Sequence, residues 1–284
     1  GLDVPHVRTG RRVTLPADYV AGHVALGYAC TVHGAQGITA DTSYTVATGE
    51  DVGMGGADME TIREVSPYVG GTSRGAGDPS VHTAIGVIHG LRAVVERQFQ
   101  RSDFQGLTVA IQGLGAVGWG LAERLHAAGA GLIVADIRQD AVARAVEAFG
   151  ATATAPDAIH AAQADIYAPC ALGGVITEQS AGEIRARAVA GAANNQLATP
   201  QAGLALAARG ILYAPDYVIN AGGIISGLEE YYAMPGRQGS EATPLSVRLE
   251  RIHDRLAEIF DRAAADGVTP EAAAERMARE LIDR

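Results

Sequence analysis

The stretch Gln112-Gly113-Leu114-Gly115-Ala116-Val117-Gly118 limits what this chain can fold into, because of what stands on either side of it. Before it runs Leu107-Thr108-Val109-Ala110-Ile111, an apolar run suited to a strand buried on both faces. After it, Leu121, Ala122, Leu125 and Ala128 recur at helical spacing, and Gly129 ends the helix. A second apolar run, Leu132-Ile133-Val134-Ala135, terminates in Asp136, 18 residues past Gly118. Strand, glycine turn, helix, strand and acid follow in the order of a βαβ unit that holds a dinucleotide.

Each part has a physical task. Gly113 permits the tight turn, Gly115 lets the backbone approach a pyrophosphate, and Gly118 lets the helix pack closely on the strand. The helix N-terminus at Ala116 and Val117 offers unpaired N–H groups and a partial positive charge to phosphates. Asp136 can accept hydrogen bonds from both ribose hydroxyls and would repel a 2′-phosphate, so NAD is expected over NADP. Arg138 is close enough in sequence to soften that preference.

The chain has 284 residues, of which 48% are hydrophobic and 19% charged, enough to bury a substantial core. The net charge of −10 opposes electrostatic binding of nucleic acid. No apolar run approaches the roughly 20 residues that span a bilayer, and no signal peptide is apparent. Cys30 and Cys170 read as free thiols of a reducing compartment, so a cytoplasmic protein is expected. All 22 basic residues are arginine, and chemistry that needs a lysine amine is therefore closed to this sequence.

From about Phe104 to Gly227 strand and helix alternate, which predicts a doubly wound parallel sheet of the Rossmann type. Helices are expected near Gln139–Phe149 and Pro200–Arg209, and strands at Asp165–Ala168, Ala188–Gly191 and Tyr217–Ile219. Asn194 and Asn220 then follow carboxyl ends of strands, where ligands of such sheets bind. Upstream, Asp78–Gln98 reads as a helix entered through a glycine-rich turn. Downstream, Thr243-Pro244 and Thr269-Pro270 each look like an N-cap with proline at the first helical position, separated by Asp266-Gly267. The expected division is an orphan segment over 1–49, part of a substrate domain over 50–100, a nucleotide domain over 101–228 and C-terminal helices over 229–284.

Six segments coincide in order with one family. They are Gly49-Glu50-Asp51-Val52-Gly53, Gly77-Asp78-Pro79-Ser80-Val81-His82-Thr83-Ala84, the glycine turn, Ala168-Pro169-Cys170-Ala171-Leu172-Gly173, Gly191-Ala192-Ala193-Asn194-Asn195-Gln196, and the run from Tyr213 to Gly223. Over about residues 50 to 284 the chain resembles the leucine, phenylalanine and valine dehydrogenases, relatives of glutamate dehydrogenase. The resemblance implies reversible oxidative deamination of an L-amino acid to a 2-oxo acid, with NAD accepting the α-hydride, in a homo-oligomer. It implies that Asp51 shuttles protons and that Thr83 holds the nicotinamide carboxamide. Ala171 and Asn194 would line the cofactor cleft, and Asn220 would contact substrate or nicotinamide. Ile224 and Gly227 would shape the side-chain pocket, with Gly227 leaving room for a larger or aromatic substrate. Outside the family pattern the same residues read as a turn cap (Asp51), a hydroxyl in a helix's first turn (Thr83) and amides at strand ends (Asn194, Asn220). Cys170 reads as a small buried residue, and His82 and His89 suggest no metal site.

Two features depart from the family. Its upstream glycine-rich segment carries two lysines, one a base and one a partner for the substrate carboxylate, and this sequence has none. An arginine stays charged and cannot replace the base. In addition, Leu26–Thr42 resembles a late motif of superfamily-one helicases of the conjugative relaxase type, which predicts a join near Tyr44–Gly49. The phosphate-gripping lysine loop of such ATPases is missing, so helicase function is not expected. Two functions stay open: an amino-acid dehydrogenase, or a non-catalytic NAD-binding remnant of one.

Overall fold

The computed structural model describes residues 2–5, 12–15, 56–64, 69, 77–232 and 243–282. Its contacts divide the chain into two units, Gly1–Gly77 with Glu229–Ser240, and Asp78–Leu228 with Glu241–Arg284. In the first unit β1 (Leu2–Pro5) pairs antiparallel with β2 (Arg12–Leu15), and α1 (Gly56–Arg63) buries Met59. Asp51, the sequence boundary near Gly49 and the helicase-like stretch lie outside the described residues.

The second unit is built on six parallel strands. These are β3 (Thr108–Gln112), β4 (Gly131–Ala135), β5 (Thr152–Ala153), β6 (Ile166–Pro169), β7 (Ala188–Val189) and β8 (Leu212–Tyr213), in the order β5-β4-β3-β6-β7-β8. The order runs outward from β3 in one direction and then outward from β6 in the other, so the topology switches between β3 and β6. Strand periodicity explains why both faces must be covered. Val109, Ile111, Ile166 and Ala168 point into one core with Leu91, Leu121, Leu125 and Leu256, while Ala110, Tyr167 and Val189 point into a second with Ile159, Ile176 and Leu206. Each fully buried aliphatic side chain contributes about 1.5–3 kcal/mol, and the two cores hold the sheet between helical layers.

The helices are α2 (Pro79–Phe99), α3 (Ala116–Ala127), α4 (Gln139–Phe149), α5 (Glu178–Glu183), α6 (Pro200–Ala208), α7 (Asp216–Ile219), α8 (Gly222–Tyr232), α9 (Leu245–Asp266) and α10 (Pro270–Ile282). Helix α2 starts as its sequence dictates: Asp78 accepts the Ser80 N–H at 2.8 Å, and Pro79 occupies the first turn. Its small residues allow close crossings, since a Cβ on Gly90 would press on Ile219 and Leu256. Although the sequence division places this helix with residues 50–100, its contacts group it with the nucleotide unit, as they do α9 and α10.

Three local expectations change. Tyr217–Ile219 is not a strand but the short helix α7, and the edge strand is Leu212–Tyr213 instead. The chain leaves the sheet after Ala214, whose N–H bonds Val189 at 2.9 Å, because Pro215 has no N–H to continue a ladder. Asn220 therefore caps α7 rather than ending a strand. Helix α9 begins at Leu245, one residue later than Thr243-Pro244 predicts, with Pro244 in an extended conformation (ψ 145°) as its cap. At α10 the expected arrangement holds: the Ala272 N–H donates to Thr269 Oγ1 at 3.4 Å and Pro270 opens the helix.

Candidate functional site

At the switch point, the turn after β3 and the loop after β6 touch. Gly113 takes a left-handed φ of +98°, its N–H bonds the Ala135 carbonyl at 2.8 Å, and a Cβ on it would stand 2.8 Å from Ala171 Cβ. A Cβ on Gly118 would run into the Gly113 carbonyl oxygen, so helix α3 can lie against its strand only with glycine there. Gly115 differs from both. It is exposed, it caps α3, and a Cβ on it would meet nothing within 4 Å. The exposed cap leaves the first-turn N–H groups of Ala116 and Val117 at the accessible start of the helix, while the Trp119 N–H is taken up by the Gly115 carbonyl. A cradle with closely packed floor and an open rim at the helix N-terminus fits a pyrophosphate.

Asp136 lies beside this turn at the end of β4. Its Oδ2 accepts the Leu114 N–H at 2.6 Å and its Oδ1 accepts the Arg138 N–H at 2.8 Å. Each oxygen keeps a second lone pair for an outside donor. The Arg138 guanidinium donates to the Leu114 carbonyl at 3.2 Å, and its Nε stands 3.8 Å from Asp136 Oδ1. This arginine is therefore fixed at the rim rather than free of the acid.

The remaining candidates form a chain of contacts leading away from the turn. Ala171 touches Gly113, and two residues on, a Cβ at Gly173 would overlap the Asn194 carbonyl. Asn220 Nδ2 donates to Asn194 Oδ1 at 2.6 Å and to the Ala192 carbonyl at 3.2 Å. Gly222 and Gly223 then pack against the first turn of α2, where a Cβ at Gly223 would stand 2.7 Å from Thr83 Oγ1. Thr83 Oγ1 itself donates to the Pro79 carbonyl at 2.9 Å, which leaves its lone pairs available. Ile224 (58% exposed) and Gly227 follow on one face of α8, with open space around Gly227. The structure thus brings together Gly113, Ala171, Asn194, Asn220 and Thr83, residues up to 137 positions apart in sequence.

Cys170 lies behind the turn. The residue keeps some exposure, but its thiol is enclosed, and burial pushes its pKa up to about 12 against a hydrogen bond from the Ala192 backbone. A thiol held protonated is no nucleophile. Among the described residues no cluster of three or more His, Cys, Asp or Glu could hold a metal, and no helix is long and apolar enough to cross a membrane.

Two residues of this region escape sequence reasoning. Gln196 is fully buried, and the Asp216 carboxylate, also buried, accepts its N–H at 2.7 Å. Both fall within the quoted motifs, but neither periodicity nor spacing separates them from their neighbours.

Fold and site define a doubly wound Rossmann domain with its glycine turn at the topological switch point. The family Glutamate/Leucine/Phenylalanine/Valine dehydrogenase matches residues 134–280. Leucine dehydrogenase of Geobacillus stearothermophilus is 43% identical over 239 residues, which are 83% of this chain and 64% of that protein. L-tryptophan dehydrogenase of Nostoc punctiforme is 40% identical over 237 residues, 83% of this chain and 65% of its own. A crystal structure of L-tryptophan dehydrogenase from Nostoc punctiforme superposes with a TM-score of 0.70 at 38% identity, covering 84% of this chain and 67% of that one. The chain belongs to the Glutamate/Leucine/Phenylalanine/Valine dehydrogenase family. It spans about 64% of the length of the leucine dehydrogenase it matches. The helicase likeness of residues 1–49 gains no support from these matches.

Proposed function

We propose that this chain is an NAD-dependent L-amino-acid dehydrogenase, acting on an aliphatic or aromatic L-amino acid and yielding its 2-oxo acid. The observation that carries the reading is the series of approaches Gly113–Ala171, Gly173–Asn194, Asn194–Asn220 and Gly223–Thr83. Such a series can hold an extended dinucleotide with its two ends in different polar environments. When bound, NAD supplies the acceptor for the hydride on the substrate's α-carbon. The backbone N–H groups at Ala116 and Val117 would hold the pyrophosphate, and Asp136, with Arg138 at its edge, would accept from the adenine-side ribose. Thr83 and Asn194 would fix the nicotinamide end, and Asn220, oriented by Asn194, would present its amide to substrate. Ile224 and Gly227 would form an apolar, open wall for a large side chain. Asp51 is assigned the proton-shuttling role. Assembly as a homo-oligomer in the cytoplasm completes the proposal.

The sequence contains no lysine, and that favours a second reading in which the protein binds NAD without turnover. Titration of NADH, followed by its fluorescence, tests the cofactor site: the absence of any response removes both readings. Incubation with leucine, valine or phenylalanine and NAD at alkaline pH separates them. Turnover above roughly 1 s⁻¹, ordinary for an enzyme, supports the dehydrogenase and shows that another group serves as base.

A further inference from the structure

Asn194 is exposed on the 191–196 loop, and Asn220, half-buried at the end of α7, donates to it and to the Ala192 carbonyl. Beneath them lies a buried polar network, in which only Gln196 Oε1 has no partner among the described residues. Gln196 is 0% exposed, and its Nε2 donates to the Gly191 carbonyl at 2.9 Å and the Ala193 carbonyl at 3.0 Å. Its backbone N–H donates at 2.7 Å to Oδ2 of Asp216, a carboxylate 8% exposed that also accepts the Tyr213 hydroxyl at 3.1 Å. Asp216 lies four residues before Asn220 and opens α7, and the Asn220 N–H donates to its carbonyl at 2.9 Å. The two residues thus clamp both sides of the Asn194–Asn220 contact: Gln196 ties down the 191–196 loop from inside, and Asp216 joins that loop to α7.

A buried carboxylate is costly unless its oxygens are bonded. Here the bonds come from the loop that carries Asn194 and from the strand Tyr213 ends. We infer that Asp216 and Gln196 are positioning residues for the nicotinamide end of the cleft: they fix the 2.6 Å Asn220–Asn194 hydrogen bond, and with it where both amides point. Both are buried and act from beneath the two amides. The inference rests on the proposed cofactor site, so the wild-type response to NADH must be read first.

The test measures NADH binding by fluorescence in Asp216→Ala, Asp216→Asn, Gln196→Leu and a control, Leu206→Ala, which removes a buried apolar side chain that makes none of the network's hydrogen bonds. Melting temperatures of all four are recorded, and each titration is run well below them. The expected result is a tenfold or greater loss of NADH affinity in Asp216→Ala and Gln196→Leu. Asp216→Asn keeps an acceptor oxygen for the Gln196 N–H and is expected to recover most of that loss. Leu206→Ala is expected to melt earlier while binding NADH within twofold of wild type. Should Asp216→Ala fail to fold, Gln196→Leu, which preserves volume, decides. A folded Gln196→Leu that binds NADH within twofold of wild type overturns the positioning role. So does a loss of affinity that merely tracks melting temperature across all four variants. No wild-type response overturns the cofactor reading, and the positioning role with it.

Discussion

Gly115 and Gly118 stand three residues apart in one turn, and the same substitution in each has opposite consequences. Alanine at 118 drives a methyl group into the Gly113 carbonyl, so helix and strand must separate. The expected cost is about 1–3 kcal/mol, seen as an earlier unfolding transition in urea. Alanine at 115 meets open space at a φ of −68° that any residue adopts. Its stability is expected within about 0.5 kcal/mol of wild type, while NADH affinity falls because the methyl group occupies the approach to the helix N-terminus. Equal stability loss in both variants would contradict this account of the turn. Cys170 gives a second residue-scale test. With its pKa near 12, a Cys30→Ser protein is expected to react negligibly with a disulfide reagent at pH 8 until it is unfolded. A rapid stoichiometric reaction of the native protein would show the thiol to be accessible and ionised.

At the scale of elements, α10 docks through Ala273, Ala274 and Met277 and also encloses a charged residue. Glu271 in its first turn is largely enclosed near Gly203, and among the described residues its Oε2 has no hydrogen-bond partner. Burial, and after it the Asp216 charge, raise its pKa against bonds from its own N–H and from Thr269. The folded value therefore lies above the unfolded value of about 4.3. At low pH both states hold the proton, and as pH climbs from the unfolded value through the folded one the native state loses stability. Glu271→Gln removes that dependence. Its melting temperature relative to wild type is expected to rise between pH 4 and pH 8, and a difference independent of pH would refute the assignment. The same geometry involves Gly203, where a Cβ would press on the Glu271 carboxylate and the acid would have to shift.

For the whole molecule, the proposed cofactor site is coupled to the fold, because the cradle is made of the same elements that close the two cores. Gly113 joins β3 to α3, and Asp136 joins β4 to the turn through the Leu114 N–H. A ligand that binds only this arrangement stabilises it by mass action. NADH at 100 times its dissociation constant adds about 2.7 kcal/mol, which for a unit of this size raises the melting temperature by roughly 5–10 °C. A melting temperature unchanged by saturating NADH would mean that the cradle does not bind it.

Local chemistry along the chain determined the βαβ unit and much of the alternation after it. The runs 108–112 and 131–135, the helix 139–149 and the Asp78-Pro79 start of α2 follow from apolar periodicity, capping and glycine placement, which act over a few residues. Motif order determined the family. What only the tertiary structure decided depends on partners far along the chain. Tyr217–Ile219 has the composition of a strand, yet Ile219 is taken up against Gly90 of α2, and Pro215 ends the ladder first. Asn194 and Asn220 are ordinary surface amides until the fold sets them 2.6 Å apart, and Gln196 and Asp216 become braces only when the loop closes over them. Periodicity reports which face of an element is buried. It carries no record of which distant atoms that face will meet, and the candidate site is made of those meetings.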